Sequence, residues 1–231
     1  MELFDAMICR IEDSFSVLQC ETLPYDPKGV LKERDSFAMV FQNDTALELG
    51  SVGKHAVNLT CVTSDRELIP EDCVRIVGSD IGGMGEKTDY ARICQVLVKY
   101  EEGSEHKLLQ DMDFIKFHIY PEDVMIRTSG QSSAERIRIG KKAVDRGFTL
   151  ERLGHTYISH YKKDPRVLSV RVTFVNVPEY DYAALEDEAK LCVSVRNSLS
   201  LIQKGLPKDC DKCTISDICG EIEGLKKLHF G

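Results

Sequence analysis

A chain of 231 residues, 42% hydrophobic and 29% charged, has the composition of a soluble globular protein and the length for one core with a small appendage; a disordered or linker-dominated chain is excluded. Its 38 acidic against 30 basic residues give a net charge of −8, a mean field that repels phosphate backbones and anionic lipid surfaces, so nucleic acid and membrane partners are set aside. The one dense basic stretch, ERIRIGKKAVDRG at 135–147, is broken by Glu135 and Asp145 and reads as a solvated face.

The first residues, MELFDAMICRIEDSF, carry acids where a leader carries bases and hold no apolar run long enough for a signal or a span. The expectation is a cytoplasmic protein whose nine cysteines are mostly reduced. A lead-in helix is expected over Glu2 to Leu18, ended by the turn-rich LPYDPKG. From Phe37 onward, FAMVFQ, ALELG, HAVNLTCVT, CVRIVG, RICQVLVKY, FIKFHI and RIRIG are short β-branched or apolar runs between turn signals and read as strands. Cys61, Cys73 and Cys94 fall inside these runs as core residues.

Leu150, Leu153, Gly154, Tyr157, Ile158 and Tyr161 follow helical spacing, so a helix is expected over Leu150 to Lys163, with Thr149 as its N-cap. In the following VLSVRVTFV, Leu168, Val170, Val172 and Phe174 alternate with Ser169, Arg171 and Thr173, the pattern of a strand with one buried face. A long helix is expected from Tyr182 to Lys204, stopped by Gly205 and Pro207, with Leu185, Ala189, Cys192, Val195, Leu199 and Ile202 on its apolar stripe. Strands first and helices later indicate an α+β fold with a mixed, largely antiparallel sheet, over 1–205, followed by a cysteine-rich tail at 206–231.

In that tail CDKCTISDIC places Cys210, Cys213 and Cys219 in a C-x2-C-x5-C pattern among acidic residues. Two thiolates separated by two residues curl around one metal, and the longer gap lets the chain return with the third. A structural zinc and a [4Fe–4S] cluster both take four ligands; Cys192 is the nearest candidate for the fourth, with Cys9, Cys20 and His229 as alternatives. The position of Cys192 on an apolar stripe also fits a buried structural thiol. The spacing resembles the C-terminal cluster motif of a nuclease family over about ten residues, which favours iron–sulfur without implying nuclease activity.

Other chemistry-bearing patterns are absent. GSDIGGMGEKT at 78–88 suggests a phosphate loop, but Ile81 and Glu86 stand where glycines are needed and a strand-like run follows. His155 and His160 are five apart and miss the i, i+4 spacing of a zincin, and no G-x-S-x-G elbow exists.

FQNDTALELGSV at 41–52, VRIVGSDI at 74–81 and IRIGKKAVDRGFTLERLGHTYISHYKKDPRVLSVRVTFV at 137–175 resemble the middle domain of the acetyl-CoA synthase β subunit of the carbon monoxide dehydrogenase/acetyl-CoA synthase complex. The resemblance extends over about 35–195. It implies a role in anaerobic one-carbon metabolism, where acetyl-CoA is assembled from a methyl group, carbon monoxide and coenzyme A at a nickel centre joined to a [4Fe–4S] cluster. Carbon monoxide dehydrogenase/acetyl-CoA synthase components or the corrinoid protein are the implied partners. The sequence has neither the Cys-Gly-Cys that holds the outer nickel in that family nor a tryptophan, so full synthase chemistry is not expected. The expected role is cluster-based electron transfer or docking. The alternatives are a scaffold with a zinc-stapled tail and a coenzyme A-binding enzyme using Arg136, Arg138, Lys141 and Lys142 against phosphates.

Overall fold

The computed structural model describes residues 3–37, 39–130, 132–205, 213–222 and 225–230. Its elements are α1 (Asp5–Phe15), β1 (Cys20–Pro24), β2 (Thr45–Leu49), β3 (Ala56–Thr63), β4 (Cys73–Val77), β5 (Lys87–Thr88), β6 (Tyr90–Val98), α2 (Glu105–Phe114), β7 (Val124–Thr128), β8 (Glu135–Gly140), α3 (Lys141–Asp145), α4 (Leu150–Tyr161), β9 (Val167–Val175), α5 (Tyr182–Gln203), α6 (Ser216–Glu221) and α7 (Leu225–Phe230). The fold is α+β, as expected, and it has two sheets. The larger runs β1-β4-β9-β6-β3 and the smaller β5-β2-β8-β7. Both are mixed: β4 lies parallel to β9 and β3 to β6, while β6 and β9 are antiparallel, as are β7 and β8.

Helices α1 and α5 cover one face of the larger sheet, and α4 packs on the other. Gly154 gives α4 its close approach, because a Cβ there would stand 2.6 Å from Val74 Cγ1 and Cγ2. Thr149 caps α4 as expected, its hydroxyl accepting from Arg152 N at 3.1 Å, and α5 stops before Gly205 at φ +86°. Because both faces of the sheet are covered, β9 departs from the one-faced expectation. Ser169, Arg171 and Thr173 are buried along with the apolar residues; Ser169 donates to the Ile69 carbonyl at 2.5 Å, and α1 supplies the counterpart of Arg171 in Glu12, which receives Arg171 at 3.1 Å, Gln95 at 3.0 Å and the Arg75 guanidinium.

Two expected strands are not strands. FIKFHI closes α2 and a 3-10 turn over Ile115–Phe117, since Leu108, Leu109, Met112 and Ile115 carry a helical period into it. The only buried cation there, Lys116, is held by Asp113 one turn earlier at 2.6 Å. In FAMVFQ, the described residues 39–41 have no regular structure and Gln42–Asp44 forms a 3-10 turn, closed by Asp44 N and the Thr45 hydroxyl on the Phe41 carbonyl at 3.0 and 2.9 Å. The lead-in helix is shorter than expected, and the first two residues of LPYDPKG, Leu23 and Pro24, complete an edge strand, β1, antiparallel to β4. In the tail, α6 and α7 pack against α5, with Ile222 and Leu225 in the core.

The two sheets are joined by a buried ion pair. Arg92 on β6 meets Glu135 on β8 at 2.7 and 2.6 Å, and neither side chain is exposed. Tyr157 of α4 lies under the guanidinium, 4.4 Å from carbon to ring centroid. Burial pushes the Glu135 carboxyl up, but the Arg92 charge and hydrogen bonds, with Thr128, outweigh it and hold the group below the usual carboxylate range.

Candidate functional site

On the smaller sheet, Glu135, Ile137 and Ile139 of β8 point inward, so Arg136 and Arg138 share the outward face. The register of β7 sets Arg127 directly opposite Arg136 and Met125 opposite Arg138, while β2 sets Glu48 on the other side of Arg138. Arg138 is neutralised: its Nε donates to Glu48 at 2.6 Å and its Nη1 to the Val40 carbonyl at 3.1 Å. Arg127 and Arg136 are exposed, and among the described residues neither guanidinium has a hydrogen-bond or ion-pair partner. Like charges directly opposite across a strand pair are destabilising by roughly 0.2–1 kcal/mol, so the pair is not there for the sheet.

Beside them β2 ends at Gly50, whose φ of +64° turns the chain; a Cβ there would stand 2.8 Å from the Glu135 carbonyl. The turn buries Ser51, and its hydroxyl, 93% of the residue being covered, has no hydrogen-bond partner. Ser51, Arg127, Arg136, Arg138, Glu48 and Met125 line one cavity of about 110 Å³, with Val52 exposed at its rim. Two free guanidiniums and a spare hydroxyl around this space are all hydrogen-bond donors, the chemistry that carboxylate and phosphate oxygens accept.

Of the expected phosphate ligands, Arg136 and Arg138 are therefore together. Lys141 and Lys142 do not line the cavity; they open α3. Lys141 Nζ donates instead to the Asn43 carbonyl at 3.0 Å, and Lys142 is exposed. Arg127 and Ser51 escaped the sequence reading. The hairpin signal that would have found Arg127 is MIRTSGQSSAERIRIG, two alternating runs around a Ser-Gly-rich turn.

Among the proposed metal ligands, Cys210 and the side chain of His229 lie outside the described residues. Cys213, before the turn into α6, and Cys219, within α6, are half-buried, and Cys219 packs against the core. Cys192 is half-buried on α5, its Sγ 3.9 Å from Cys61 Sγ and 3.3 Å from Met7 Sδ. Cys9 is exposed and Cys20 half-buried. No group of three or more His, Cys, Asp or Glu arranged for a metal occurs among the described residues.

The glycine-rich GSDIGGMGEKT is an anchor. Asp80 sits over the N-terminus of α4, accepting from Leu150 N at 2.9 Å and from Ile81 N at 2.6 Å, so a carboxylate already fills the place a phosphate would take. No described helix is long and apolar enough to cross a membrane.

These features define an α+β domain whose smaller sheet presents an arginine-lined cavity. Residues 38–179 match the model of the CO dehydrogenase/acetyl-CoA synthase complex beta subunit family. The chain belongs to that family, which associates it with one-carbon metabolism of the carbon monoxide dehydrogenase/acetyl-CoA synthase type. Comparison with the curated proteins gives no match.

Proposed function

We propose that this protein, a relative of the acetyl-CoA synthase middle domain, works beside carbon monoxide dehydrogenase/acetyl-CoA synthase or corrinoid components and binds the phosphate end of coenzyme A. The observation that carries the reading is the unpaired Arg127–Arg136 couple over the unpartnered Ser51 hydroxyl. A phosphate there receives two charge-assisted forks and one hydroxyl, while the 110 Å³ cavity leaves the rest of the ligand on the surface past Val52. Hydrogen bonds to charged groups are worth about 1.5–3 kcal/mol, so Arg136→Ala or Arg127→Ala lowers coenzyme A affinity by about 10- to 100-fold. Titration calorimetry checks this, with pantetheine, which lacks the phosphates, giving no heat. Absence of heat with coenzyme A itself removes the proposal.

The cysteine tail supports a second, compatible role. Cys213 and Cys219 bracket the turn into α6, where Ser216 N donates to the Cys213 carbonyl at 3.4 Å, a compact placement for two ligands of a [4Fe–4S] cluster used in electron transfer or docking. Anaerobically purified protein is then brown, with about four iron and four sulfide per chain. Stoichiometric zinc in a colourless protein selects the stapled scaffold instead.

A further inference from the structure

Three sulfur atoms from three separate elements meet on the α1 side of the larger sheet. Met7 of α1 is 1% exposed and Cys61 of β3 is fully buried; Cys192 of α5 is half-buried. Cys61 Sγ lies 3.5 Å from Met7 Sδ, Cys192 Sγ lies 3.3 Å from Met7 Sδ, and the two thiols are 3.9 Å apart. The point equidistant from all three is about 2.1 Å from each sulfur, within about 0.2 Å of a metal–thiolate bond length of ~2.3 Å.

We propose that Met7, Cys61 and Cys192 form a trigonal site for a soft monovalent d10 ion, Cu(I) being the physiological choice. Thiolate and thioether donors select such an ion, whereas structural zinc takes four nitrogen, oxygen or thiolate donors and no thioether. Cys94, the next buried thiol on the larger sheet, is engaged elsewhere, its Sγ accepting from Arg92 Nη1 at 2.9 Å. Binding forms three Cu–S bonds and breaks two S–H bonds, releasing two protons; the ion remains Cu(I) and nothing is oxidised. The complex carries one negative charge. In the adjoining cavity Lys116 and Arg196 share the one carboxylate of Asp113 and so leave a single positive charge beside the site, while Arg10 is already paired with Glu188. Cys192 also lines that cavity of about 20 Å³, room for a water-sized species beside one of the three ligands. The site is independent of the arginine pocket, and it assigns Cys192 to this centre and not to the tail.

The test uses the full chain carrying Cys210→Ser, Cys213→Ser and Cys219→Ser, which silences the tail, reduced with a phosphine and titrated anaerobically with Cu(I) against bicinchoninate. The expected result is one Cu(I) per chain, an ultraviolet thiolate charge-transfer band and an X-ray absorption fit with sulfur neighbours only. Adding Cys192→Ser or Met7→Leu lowers the affinity by at least the roughly 10- to 100-fold that even an outer-shell change costs. Circular dichroism melts confirm that both variants stay folded. Copper binding unchanged by Cys192→Ser overturns the proposal. So does a chain that takes up no Cu(I) and loses two hydrogens to a Cys61–Cys192 disulfide on mild oxidation.

Discussion

Glu135→Gln is expected to cost about 3–5 kcal/mol of folding stability, because it leaves the Arg92 guanidinium buried without its counter-charge. The carboxylate accepts from Arg92 Nε at 2.7 Å, Arg92 Nη2 at 2.6 Å, Thr128 at 2.7 Å and Tyr90 at 3.3 Å. A glutamine has one acceptor oxygen for these four donors, and its NH2 faces a donor. Domains of this kind have about 5–15 kcal/mol in total, so a large share is lost. Removing both charges with Arg92→Met and Glu135→Leu leaves no orphaned ion and is expected to be the milder change, the two single substitutions being strongly non-additive. Urea denaturation of the wild type, both single variants and the double variant checks the cycle, and Glu135→Gln is measured beside them; a loss below about 0.5 kcal/mol for Glu135→Gln, the size of an ordinary surface change, contradicts the expectation. The pH dependence has a fixed sign. A carboxyl whose folded value is depressed contributes stability that is complete above its unfolded value of about 4.3 and lost as the pH falls through the folded value. Part of the acid sensitivity therefore disappears with the carboxylate.

The same pair shows where sequence reading stops. Helix α4 was legible because one face of it is buried and one spacing describes it. Strand β6 carries no alternation, since all nine of its residues are buried, Arg92 and Gln95 among them; β9 carries a polar row that reads as solvent-facing until α1 is seen lying over it. Polar side chains buried against polar side chains look exposed in one dimension. Arg136 was visible as a basic residue in RIRIG, but its partner Arg127 depends on the register of β7 with β8, which is a property of the pairing and not of either segment. The tail is the reverse case: three cysteines are local, while any fourth donor is tertiary. The sulfur triangle was hidden altogether, being made by residues 7, 61 and 192.

A fragment confined to 38–179, the family-matched region, is expected not to fold, although it contains most of both sheets. It lacks β1, one edge of the larger sheet, and both helices that cover one face. Leu3, Phe4, Met7, Ile8, Ile11 and Phe15 are all buried, and at about 1.5–3 kcal/mol per buried apolar side chain the N-terminal segment alone contributes roughly 9–18 kcal/mol, as much as a domain's whole net stability. From α5 the fragment loses Tyr182, Leu185, Ala189, Val195 and Leu199 as well. The charge balance fails in the same place. Without Glu12, Arg75 and Arg171 remain on an uncovered sheet with no carboxylate between them, beside newly exposed Leu59, Cys61 and Ile93. Such a surface aggregates. Expression of 38–179 should yield insoluble or unstructured protein, whereas residues 1–205, which restore β1, α1 and α5, should unfold cooperatively in denaturant. A soluble 38–179 with dispersed amide resonances and a sharp transition contradicts this, because the sheet would then hold without the helices that bury its face.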